Sequence, residues 1–150
     1  MTTRRQFLAV SLAAPVALSI RPAFAAEPAV QVQNGYGADG ADVVAYFTEE
    51  RAVEGSEAHV VEHEGVAYKF ASAENAATFE ADPVAYLPQY GGYCAYAVSK
   101  GYTATVERDA WSVHDGKLYL NFSKSVRALW RARRSHHIES ANANWPAVLG

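Results

Sequence analysis

Val66, Tyr68 and Phe70 fall on every second position, the period of a strand with one buried face, and short Val-rich runs precede them across Glu64-Gly65. Residues 58–71 therefore predict a β-hairpin, with Gly65 free to take the positive φ of a tight turn. Ser72 then stands three residues ahead of Asn75, an N-cap for a helix over 73–81 with Phe79 inward and Asp82-Pro83 as its stop. A helical turn over 84–87 closes at Pro88, and Gly91-Gly92 leads into a helical stretch over 93–100. A second hairpin is predicted from Trp111 through His114-Asp115-Gly116, with Leu118, Leu120 and Phe122 on one apolar face. Ser123 or Ser125 caps the last long helix, which runs through Val126, Leu129 and Trp130 to about His136 and resumes after a bend over 138–145 until Pro146.

Upstream, Asp42 caps a short helix over 43–47 that turns Val44 and Phe47 inward, and residues 51–57 read as loop. Residues 26–39, with Pro28, Gly35 and Gly37 and no sustained period, read as a flexible linker into a domain over 40–150. No internal repeat is legible. The sum is a small single α+β domain, two β-hairpins forming a short antiparallel sheet packed by three or four helices.

The first residues carry a different signal. Thr3-Arg4-Arg5-Gln6-Phe7-Leu8 precedes an apolar run over 9–20 and the small-x-small site Ala23-Phe24-Ala25. The run is about a dozen residues, short of the roughly 20 needed to span a bilayer. Residues 1–25 thus read as a cleaved twin-arginine signal peptide, placing the mature chain in the periplasm with no membrane association after cleavage. That route carries folded proteins, often with a cofactor already inserted.

Charge changes the picture again. Lys and Arg number 13 against 16 acidic residues, a net charge of −3; losing Arg4, Arg5 and Arg21 leaves 10 against 16, or −6. An acidic chain of this kind argues against nucleic acid or an anionic membrane as a partner, and Arg127, Arg131, Arg133 and Arg134 read as a solvated helix face. Cys94 is the only cysteine, so it is buried, ligated or reactive. Met1 is the only methionine and leaves with the signal, which excludes a methionine-rich copper site.

Five ordered blocks resemble the exported YHS-domain family: 40–47 (Gly-Ala-Asp-Val-Val-Ala-Tyr-Phe), 68–75, 82–98 with Gly91-Gly92-Tyr93-Cys94-Ala95-Tyr96, 115–122, and 141–146 ending Asn144-Trp145-Pro146. The resemblance implies a small binding module, some of whose wider relatives hold heavy metals through paired cysteines. This chain departs at Ala71-Ser72-Ala73-Glu74-Asn75, which carries no sulfur where such a pair is expected, and at Ala41, where Tyr is common.

Cys94 is the leading candidate, because it precedes a helix among Tyr86, Tyr90, Tyr93 and Tyr96, and a helix N-terminus favours the thiolate. The histidines available as metal partners are His59, His63, His114, His136 and His137, and His137 is the one to pair with Cys94, since it precedes the shared tail. The 9 tyrosines exceed what core filling needs, so Tyr90, Tyr93 and Trp111 are expected to wall a ligand pocket beside the sulfur. No catalytic triad, phosphate loop or paired-carboxylate motif is present. The expectation is an exported YHS-family binding protein holding a transition metal ion, copper favoured, or a small ligand near Cys94. The alternatives are an accessory protein-interaction module without ligand and a Cys-dependent enzyme.

Overall fold

Tyr46, Tyr68, Phe70 and Phe79 are all at most 2% exposed, and the segments that deliver them define the first half of the structure. The computed structural model describes residues 26–150, so the expected signal over 1–25 lies outside the described residues. Strands β1 (Val32–Gln33) and β2 (Tyr36–Gly37) form a small hairpin, followed by helix α1 (Ala45–Thr48). Strands β3 (Ser56–His63) and β4 (Val66–Phe70) pair antiparallel, with Val61 opposite Tyr68, and run into helix α2 (Ala73–Ala81). The short helix α3 (Ala95–Ser99) opens the second half. Strands β5 (Glu107–His114) and β6 (Lys117–Asn121) pair with Ser112 opposite Tyr119, and helices α4 (Lys124–Ala132) and α5 (Arg134–Asn144) complete it.

This is the expected α+β class in one small domain. The hairpins, however, remain three separate two-stranded sheets and do not merge into one. The linker reading of 26–39 also needs correction. Asn34 and Gly35 both take positive φ, 53° and 86°, and this turn closes β1 on β2, while Gln31 is buried and its N–H donates to Gly91 O. The segment then joins the far end of the chain, where Glu27 N–H donates to Leu149 O at 2.8 Å. Beyond Pro146 one further 3-10 turn, Ala147–Leu149, forms.

A second correction concerns repetition, because the two halves share one plan at a constant offset. β3, β4 and α2 begin at 56, 66 and 73; β5, β6 and α4 begin at 107, 117 and 124, with matching lengths of 8, 5 and 9 residues. Each long strand shifts register near its start, between Ser56 and Val60 and between Glu107 and Trp111. Each hairpin turns through an acidic residue and glycine at positive φ, Glu64-Gly65 and Asp115-Gly116. Each helix is capped by a serine hydroxyl accepting the N–H three residues on, Ser72 from Asn75 and Ser123 from Val126, both at 3.1 Å. His63, Tyr68 and Ser72 thus correspond to His114, Tyr119 and Ser123.

Two packed clusters follow. One joins Val43, Val44, Tyr46, Tyr68, Phe70 and Phe79 to Cys94, Leu118 and Leu120; the other gathers Tyr90, Tyr93, Val98, Tyr119, Trp130 and Ala141. Burying each large side chain contributes roughly 1.5–3 kcal/mol. Phe122 departs from its expected inward place. It lies just past the end of β6 and is 51% exposed. Among the described residues no helix is long and apolar enough to cross a membrane.

Candidate functional site

Equivalent positions in the two halves are filled differently. In the first, Asp42 is fully buried ahead of α1; its Oδ1 accepts the N–H of Val44 and Ala45, and its Oδ2 accepts the N–H of Ala71 at 3.0 Å and the Nδ2 of Asn75 at 2.8 Å. In the second, Cys94 is buried ahead of α3, and its Sγ accepts the N–H of Phe122, which corresponds to Ala71, at 3.2 Å. Val126 stands where Asn75 would be. The carboxylate and amide that plug the first half are thus replaced by a thiol and a branched hydrocarbon.

Beside the thiol and Val126 lies a cavity of about 250 Å³, walled by Cys94, Tyr96, Ala97, Tyr102, Ala104, Phe122 and Val126. Tyr102 is 52% exposed, and with Phe122 it brings apolar surface to the solvent side. A larger groove of about 380 Å³ lies across the same chain segment, sharing Ala104 and lined by Glu27, Gln31, Tyr93, Thr103 and Thr105 among others. Tyr93 is the only aromatic residue in it. The smaller cavity has three aromatic walls and the thiol, the mix of apolar surface and one polar group that a small-molecule site needs.

The sulfur lies in a buried, hydrogen-bonded environment. Its S–H donates to Asn121 Oδ1 at 3.6 Å, and Oδ1 also accepts the N–H of Tyr96. Burial raises the thiol pKa, only partly offset by hydrogen bonds from the backbone around Ala97, Phe122 and Tyr96. The expected activation by a helix N-terminus is therefore overturned, since α3 is only five residues long and desolvation outweighs its donors.

Of the other expected site residues, none lines this cavity. Tyr90 donates its hydroxyl to Asn142 Oδ1 at 2.9 Å, and Tyr93 donates to Pro28 O at 2.7 Å; both pack near Trp145 in the second cluster. Trp111 lies against Tyr46, ring centroids 5.3 Å apart. His137 is buried on α5 with Nδ1 3.2 Å from Ser99 Oγ and its ring 5.1 Å from that of Tyr96. Ser99 ends α3 and Cys94 precedes it, so the sulfur and the imidazole attend opposite ends of that helix. The imidazole pKa is lowered by burial first, then by Lys100, His136 and Arg133.

The donor set can be compared with what a copper thiolate needs. Sγ takes an N–H from Phe122 and has the Asn121 amide oxygen and the cavity side chains as its other neighbours. Among the described residues no three His, Cys, Asp or Glu side chains gather into a ligand set. These neighbours are those of a hydrogen-bonded, buried thiol. Tyr96 is expected beside Cys94, but Tyr102, Ala104, Phe122 and Val126 are not expected as cavity walls, although the spacing that relates Val126 to Asn75 carries a signal.

No family model, curated protein or solved structure matches the chain in the three comparisons made.

Proposed function

We propose that the chain is an exported binding protein, related to the YHS family and delivered folded to the periplasm by the twin-arginine route, whose cavity beside Cys94 holds a small apolar or aromatic ligand. The observation that carries the reading is the cavity of about 250 Å³ beside Cys94 and Val126, where the matching place in the first half holds the hydrogen-bonded Asp42 and Asn75. Tyr96, Tyr102 and Phe122 offer ring faces and edges to a flat molecule, and the thiol and phenol groups supply weak polar contacts for orientation.

The test is a calorimetric titration with small aromatics such as indole and phenol, repeated on Val126→Trp, which fills the cavity. Saturable one-to-one binding that disappears in the filled variant supports the site. Equal binding by both proteins, or none by either, overturns it. The copper alternative, with Cys94 and His137 as ligands, rests on the family resemblance and predicts stoichiometric Cu(I) uptake lost in Cys94→Ala. The Cys-dependent enzyme needs a thiolate, which burial opposes.

A further inference from the structure

Charge is distributed unevenly between the two halves. Lys117, Lys124, Arg127, Arg131, Arg133 and Arg134 are six of the ten basic residues between 26 and 150, and no Asp or Glu occurs from 116 to 138. Lys124, Arg127 and Arg131 recur at i, i+3 and i+7 on α4, and Arg134 continues the row onto α5.

Their guanidinium groups are held in place by strand β5. Arg127 Nη1 donates to Asp109 O at 3.0 Å and Trp111 O at 3.4 Å; Arg131 donates through Nε to Ser112 Oγ at 3.0 Å and through Nη2 to Trp111 O at 3.2 Å. Arg134 Nη1 lies 3.1 Å from His114 Nδ1. Among the described residues none of them forms an ion pair; the five pairs present involve Arg51, His63, Lys69, Arg108 and His114. Arg131 is lowered in pKa by desolvation and by Arg127 and Arg134, so the cations repel one another without a carboxylate to relieve them.

The first half shows that the fold does not require this row. The positions of α2 and its exit that correspond to Lys124, Arg127, Arg131 and Arg134 are Ala73, Ala76, Glu80 and Pro83. The same helix on the same hairpin therefore packs with no cation there. Like charges four apart on a helix are destabilising by a few tenths of a kcal/mol. A row of mutually repelling cations that has no counterpart in the first half fits a surface that is neutralised by something else.

We propose that the row formed by Lys124, Arg127, Arg131 and Arg134 docks an acidic, extended segment of a partner protein. Within α4, Arg127 and Arg131 are separated by about 6 Å along the helix axis, close to the roughly 6.6 Å between alternate side chains of an extended peptide. A lipid surface fits less well, because the exposed apolar residue of α4, Leu129, lies about 160° around the helix from both Arg127 and Arg131. The remaining N–H groups of planar guanidiniums suit carboxylates in particular. This docking does not depend on the cavity at Cys94.

The experiment is fluorescence anisotropy of a labelled oligoglutamate titrated with the full chain at low salt. One-to-one binding that weakens about tenfold or more at physiological salt is expected, as is a further loss of about tenfold in the double variant Arg127→Gln, Arg131→Gln. Lys124→Gln, which makes no hydrogen bond to the fold, should weaken binding several-fold if the double variant folds poorly. Arg51→Gln, an exposed cation elsewhere, should leave it unchanged. Absence of binding, or equal binding by these variants and the parent, overturns the proposal. So does stronger competition by phosphatidylglycerol vesicles than by unlabelled peptide, or salt-sensitive self-association through the same arginines in sedimentation.

Discussion

Asp42 accepts four hydrogen bonds in a place where water does not reach, and its removal should be among the most costly single changes in the first half. Asp42→Ala leaves the N–H groups of Val44, Ala45 and Ala71 and the Nδ2 of Asn75 without their acceptor. Each hydrogen bond to a charged group contributes about 1.5–3 kcal/mol, and each buried orphan costs about 1–3 kcal/mol, but local relaxation keeps such losses from adding in full. A loss of about 4 kcal/mol is expected, a large part of the 5–15 kcal/mol typical of a domain. Asp42→Asn preserves the shape but turns one acceptor oxygen into an NH₂ group facing two donors, so it should cost about 2–3 kcal/mol. Asn75→Ala removes a single bond and should cost about 1 kcal/mol. Urea titrations followed by circular dichroism give all three values, with the slope checked for two-state behaviour. A loss below about 1 kcal/mol for Asp42→Ala, or no loss for Asp42→Asn, would show that Asp42 does not hold α1, β4 and α2 together.

Three more expectations follow from the same geometry. Transplanting the plug by Cys94→Asp together with Val126→Asn should be at least about 2 kcal/mol less destabilising than the two single changes summed, and should abolish small-aromatic binding; strict additivity in the double-mutant cycle refutes the correspondence of the halves. Alkylation of Cys94 at pH 8 should run far slower than that of a free thiol, with its pH midpoint above the ordinary value of 9.0, and a midpoint below it contradicts the buried thiol. His137 favours its neutral form in the fold, so the unfolded chain binds the extra proton first. Its contribution to stability is complete above pH 6.5 and is lost as pH falls through that value toward the lowered folded pKa; His137→Gln should flatten this part of the curve, and an unchanged slope in thermal melts sinks the assignment.

Much of the fold was legible where local chemistry decides it. The helix over 73–81 and its Ser72 cap follow from a hydroxyl three residues ahead of an N–H, and both larger hairpins follow from an acidic residue and glycine at positive φ. The small β1–β2 hairpin escaped because its strands are two residues long, although Asn34-Gly35 is a turn signal of the same kind. Of the candidate site, Cys94 and its neighbour Tyr96 were legible. Cys94 was visible in the sequence, but its burial depends on Asn121 and Phe122, which arrive from 27 and 28 residues away. Tyr90 and Tyr93 lie close to it in sequence and yet pack into the second cluster, since the turn at Gly91-Gly92 carries them to the other side.

The pairing of Glu27 with Leu149 makes the backbone a nearly closed ring. A tether attached ahead of Glu27 and one attached after Leu149 would pull on the same edge, so tension between them peels apart the terminal segments before it reaches either hairpin. The ring also admits a circular permutation of residues 26–150, with Ala26 and Gly150 bridged by a short glycine linker and new ends opened at the exposed Glu64-Gly65 turn.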